Sequence, residues 1–105
     1  MEHVDVIMTI IAHAGNARTK AMEAIQKAEV KRLQEARLLL QEADEEVKFA
    51  HRSQTELIQK EARGERVEVS LFMVHAQDHL MNAMTVIDMA EKFINLYEKI
   101  DVHNK

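Results

Sequence analysis

The stretch Ser70-Leu71-Phe72-Met73-Val74-His75-Ala76-Gln77-Asp78-His79-Leu80-Met81, continued without glycine or proline to Ile100, decides the fold. Ser70 is a suitable helix N-cap, because its hydroxyl can accept from a backbone N–H of the first turn. At about 100° of rotation per residue, Leu71, Val86, Met89, Phe93, Leu96 and Ile100 all lie within about 60° of His75. This is an apolar helical stripe, and it is expected to be the core face of a long helix. His75, Asp78, His79 and Asn82 fall inside the same stripe.

Polar groups in a core face need an explanation. A buried carboxylate without a partner is either destabilising or protonated. No Lys or Arg lies between Ser70 and Glu91, so Asp78 has no cation on its own helix. Three arrangements could satisfy it. Another helix could supply a partner, for example Arg18, His51 or Gln54. His75, Asp78 and His79, spaced three and four apart, could chelate a metal ion. Or the face could lie on an oligomer axis, where the Asp78 carboxylates of several copies surround a hard cation such as Mg²⁺.

Working outward, the helix is preceded by Arg63-Gly64-Glu65-Arg66, the clearest break in the chain. Gly64 suits the left-handed position after a helix end, and Val67-Glu68-Val69 is expected to be extended. Upstream, Val4, Ile7, Met8, Ile11, Ala14, Ala17, Ala21, Ile25 and Ala28 mark a first helical stripe. Leu33, Ala36, Leu40, Ala43, Val47, Ala50, Leu57 and Ile58 mark a second. No Gly, Pro, Asn or Asp separates Lys20 from Gln41. A single helix from Val4 to Ala62 would be about 90 Å long, more than a small globule can bury, so a turn is expected near Glu29 to Arg32. Asp101 to Lys105 are expected to fray.

Composition agrees with an all-α fold. The 105 residues contain no proline, two glycines, four aromatic residues and seven Met. Sheet proteins use many Gly- and Pro-containing turns, whereas Leu, Ile, Val, Ala and Met suit helix packing. The chain is short enough to be a single domain, residues 1–105, whose burial would benefit from oligomerisation. The net charge is −4 and no basic stripe is present, which argues against nucleic-acid binding. The absence of cysteine excludes disulfides and thiol chemistry. Met1-Glu2-His3-Val4-Asp5 lacks the basic region of a signal peptide, and no apolar run is long enough to cross a bilayer.

Four stretches are similar to one known family. They are Ala14-Gly15-Asn16-Ala17-Arg18-Thr19, Ala50-His51-Arg52-Ser53-Gln54-Thr55, Glu61-Ala62-Arg63-Gly64-Glu65 and Val74-His75-Ala76-Gln77-Asp78-His79-Leu80-Met81. In this order and spacing the chain resembles the enzyme IIA component of the lactose/cellobiose (N,N′-diacetylchitobiose) class of the bacterial sugar phosphotransferase system. The resemblance implies an antiparallel three-helix subunit assembled as a homotrimer. It implies that His75 is the phosphoacceptor, charged by phospho-HPr, and that a cysteine of the cognate IIB protein then takes the phosphoryl group for the membrane IIC transporter. It further implies that Asp78 holds one Mg²⁺ per trimer on the threefold axis, that Gln77 and His79 line a site between subunits, and that the protein is cytoplasmic. Where that family usually has Gly-Asp between its first two helices, this chain has Lys31-Arg32. The reading from another class is a non-enzymatic metal-binding bundle using His75, Asp78 and His79. For Gly15 close helix packing and a direct role in the site stand level, and for Arg18 a surface salt bridge competes with phosphate binding. His3, His13 and His103 are expected to carry no role.

Overall fold

Three helices form the computed structural model: α1 (Val4–Glu29), α2 (Leu33–Ala62) and α3 (Leu71–His103). The structure describes residues 3–103, with side chains through Asp101. The expectations for Met1, Glu2, Asn104, Lys105 and the side chain of His103 lie outside the described residues. The molecule is a rod of 58 × 20 × 18 Å. Helices this long, joined by short connections in so narrow a rod, run up-down-up. Ala24 and Ala28 at the end of α1 therefore share a cluster with Ala36 at the start of α2 and Ile94 near the end of α3. α1 packs along both other helices, which touch one another more sparsely.

Both helix ends that the chain must turn through use the same device. After α1, Lys31 takes φ 66°, its N–H bonds the Ala28 carbonyl, and Arg32 N–H bonds the Lys27 carbonyl. After α2, Gly64 takes φ 87°, its N–H bonds the Glu61 carbonyl, and Glu65 N–H bonds the Lys60 carbonyl. These are paired Schellman closures that satisfy the last carbonyls of each helix. The expected turn at Glu29 to Arg32 is therefore present, with a lysine in the left-handed position that glycine fills more easily.

The connector runs from Arg63 to Ser70. No strand forms at Val67-Glu68-Val69; Val67 packs on the core while Val69 is exposed. Ser70 Oγ accepts from Met73 N–H at 3.2 Å, as an N-cap should. The helix it opens stays helical to His103, so the expected fraying does not begin at Asp101.

The stripe expected to be the core of α3 is not its core within one chain. Leu71, Met89, Phe93, Leu96 and Ile100 are exposed. The face packed on α1 and α2 is Met73, Ala76, Leu80, Ala83, Ile87, Ala90 and Ile94, about a third of a turn away by the rotation per residue. Alanine explains the difference. Ala76, Ala83 and Ala90 carry little hydrophobic weight in a periodicity argument, yet their small side chains let helix backbones approach closely. The bulkier residues are left on the outer face. The stripe on α1 shifts in the same way: Ile10 and Ala24 are buried, while Val4 and Met8 are exposed. On α2 Ile58, expected in the core, is exposed.

Candidate functional site

His75 stands in the second turn of α3, on the outer apolar face, and is exposed. One helical turn on, His79 is half-buried, and the two rings meet edge to face with centroids 4.4 Å apart. Their Nε2 atoms are 3.0 Å apart. Only one of the two can carry the proton in that bond. If His79 donates, Nε2 of His75 keeps its lone pair and its proton sits on Nδ1. The spacing of four residues makes the pair possible, because it places both side chains on one face.

Asp78 lies beside this pair and is also exposed. Leu71, Phe72, Val74, His75 and Asp78 line a shallow depression of about 520 Å³. The carboxylate makes no ion pair among the described residues. The burial cost anticipated from the sequence is therefore absent in a single chain, since water solvates the carboxylate. Neither Arg18, His51 nor Gln54 comes to it as a partner. Asn82 is exposed on the same stripe.

Gln77 points elsewhere. Two residues from His75 on a helix is about 200° of rotation, nearly the opposite side. Its Oε1 accepts from Nε2 of Gln54 on α2, and its own Nε2 approaches Met73 Sδ at 3.8 Å. Within one chain Gln77 and His75 are thus not brought together. Gln54 is the one polar side chain in the core among the described residues, 8% exposed. The sequence offered it as a possible partner for Asp78; its burial and its bond to Gln77 appear only in the fold.

The remaining candidates separate. Arg18 and His51 are exposed, and Arg18 forms no salt bridge among the described residues. Gly15 is not a close-packing glycine here, because a Cβ built on it meets nothing within 4 Å. His13, assigned no role, is engaged: its Nδ1 is 2.5 Å from Glu46 Oε2 and its ring lies 4.4 Å from that of Phe49. These partners are far away in sequence, so nothing local announces them. Among the described residues no three His, Asp or Glu side chains are grouped to hold a metal ion. The single-chain chelate of His75, Asp78 and His79 is therefore not formed. The two imidazoles engage one another instead.

A helical rod that displays an imidazole pair on an open apolar face defines a class: an all-α subunit whose candidate site lies on its surface. The family described as the lactose/cellobiose-specific IIA subunit of the phosphotransferase system matches residues 5–98. The lichenan-specific phosphotransferase enzyme IIA component of Bacillus subtilis is 60% identical over 99 residues, covering 94% of this chain and 90% of that protein. The cellobiose-specific EIIA component of Lactococcus lactis subsp. lactis is 41% identical, covering 94% of this chain and 85% of that protein. Among solved structures, the cellobiose-specific enzyme IIA of Bacillus anthracis superposes with a TM-score of 0.93 at 46% identity, covering 97% of this chain and 94% of that one. The IIA(chitobiose) subunit of Escherichia coli, solved in complex with HPr, superposes with a TM-score of 0.82 at 33% identity, over 96% of this chain and 98% of that one. The chain belongs to the lactose/cellobiose-specific IIA family of the sugar phosphotransferase system, and it is a phosphotransferase component.

Proposed function

We propose that this protein carries a phosphoryl group on His75 between phospho-HPr and the cognate IIB protein. The observation that carries the reading is the exposed His75–His79 pair, Nε2 to Nε2 at 3.0 Å, on the open face of α3. A neutral imidazole nitrogen is a good nucleophile near neutral pH. As its lone pair forms a P–N bond, the bond to the donor on HPr breaks and the phosphoryl group moves across. An N–H on His79 can then turn from the His75 ring to a phosphoryl oxygen. A cysteine thiolate of IIB takes the group in the next step, forming a P–S bond and leaving His75 neutral. The E. coli relative solved with HPr supports HPr as the donor.

The exposed apolar face of α3 supports a homotrimer, with the α3 helices at its centre and His75 sites between subunits. In that assembly Gln77 acts on a neighbouring copy's site, since it faces away from its own His75. Three Asp78 carboxylates around the axis are an oxygen donor set that suits a hard ion, and Mg²⁺ fits it. Bound there, the ion screens the mutual repulsion of the carboxylates. No described helix is long and apolar enough to cross a membrane, and the protein acts in the cytoplasm as the mobile donor to the IIB–IIC transporter. The names of its relatives span lichenan, cellobiose, galactose and lactose, which supports placing sugar choice in the transporter.

Incubation with phosphoenolpyruvate, enzyme I and HPr tests the reading. Wild-type protein is expected to take up acid-labile phosphate, and His75→Ala is expected to take up none. Wild-type protein that remains unlabelled with an active HPr would refute the carrier role.

A further inference from the structure

We propose that Gln54 is a positioning residue for phosphoryl transfer: by holding the carboxamide oxygen of Gln77, it makes Gln77 present its N–H₂ to the phosphoryl oxygens on a neighbouring copy's His75. The inference rests on the carrier and trimer reading above.

A carboxamide has a donor end and an acceptor end of nearly the same shape, and only its hydrogen bonds decide which end faces a ligand. Phosphoryl oxygens are acceptors, so a carboxamide that serves them must offer nitrogen. Gln77 Oε1 is occupied by Gln54 Nε2. Among the described residues Gln77 Nε2 meets only the thioether of Met73 at 3.8 Å, a weak acceptor that leaves donor capacity free. Gln54 is buried on α2, so its own rotamer is held by packing.

Location agrees with this role. Gln54 and Gln77 lie in a groove of about 280 Å³ between α2, the connector and the start of α3. Val74 lines both this groove and the depression that holds His75. Gln77 is two residues beyond His75, a rise of about 3 Å along the helix. Rotation about an axis along α3 preserves height, so a neighbour's Gln77 stands only about 3 Å along the axis from His75. A buried polar side chain spanning the sparsest helix contact also has no evident need to be polar for packing alone.

The test is Gln54→Glu. Its carboxylate accepts from Gln77 Nε2, which keeps a hydrogen bond but reverses the amide. With helicity and assembly unchanged, the rate of transfer from phospho-HPr is expected to fall about 10- to 100-fold, the scale of losing a hydrogen bond to a charged group. Gln54→Met, which removes the bond without reversing the amide, is expected to fall less. In wild-type protein the Gln77 side-chain ¹⁵N–H₂ resonances are expected to shift on phosphorylation. This readout needs no variant to fold, and it would stay still if the Gln77 amide did not meet the phosphoryl group. Unchanged resonances in phosphorylated wild type, or a Gln54→Glu protein that transfers at the wild-type rate, would overturn the proposal while leaving the carrier role standing. Wild-type protein that takes no phosphate removes both.

Discussion

At the residue scale, what matters is which groups the backbone aims at one another. His75 and His79 meet because four residues complete about one turn, and that pairing is written in the local sequence. Asp78 differs: its setting depends on how many copies surround it. In one chain it is a solvated carboxylate. In the proposed trimer, three of them converge where water is scarce, and replacing converging charges with well-packed apolar groups is neutral or stabilising. Asp78→Leu is therefore expected to leave an assembled trimer in light scattering, and dissociation to single chains would show that the carboxylates hold the assembly together. A Cβ built on Gly15 would meet nothing beyond its own helix backbone within 4 Å, so packing within the chain does not account for its lack of a side chain.

At the element scale, the helix ends are decided by backbone groups that need partners. Ser70 and the two Schellman closures satisfy them. Lys31 is the imperfect one, since a residue with a Cβ is strained at φ 66°. Its Nζ is 3.9 Å from Asp101 Oδ1 with the lysine side chain 69% exposed, and such exposed pairs contribute little. Lys31→Gly is expected to stabilise the protein by about 0.5–1 kcal/mol, seen as a rise of about 4 °C in the thermal midpoint. A lower midpoint would mean the lysine makes contacts worth more than the strain.

At the scale of the whole molecule, α3 is apolar on two sides. One side packs on α1 and α2; the other is open along most of its length, and a helix apolar nearly all round is one that is surrounded. Phe93→Glu combined with Leu96→Glu touches only the open side, where both residues are exposed. The double variant is expected to keep its helical circular dichroism and to scatter as a single chain. An unchanged assembled mass would place the subunit contact on another face.

The sequence alone determined the break at Gly64, the Ser70 cap and the identity of the candidate nucleophile. These are local properties: periodicity, a glycine after a helix end and a distinctive run around His75 survive without knowledge of the neighbours. The turn near Glu29 to Arg32 carries no such local mark and followed from the length that one unbroken helix would reach. It also determined that α3 carries a bulky apolar stripe holding His75 and Asp78. Only the tertiary structure decided that this stripe is not the subunit's own core. That choice turns on how closely backbones approach at Ala76, Ala83 and Ala90, a long-range packing property that side-chain hydrophobicity does not encode. For the same reason the bond between Gln54 and Gln77, and that between His13 and Glu46, were illegible: each joins residues far apart in sequence whose meeting is set by the rotation of one helix against another.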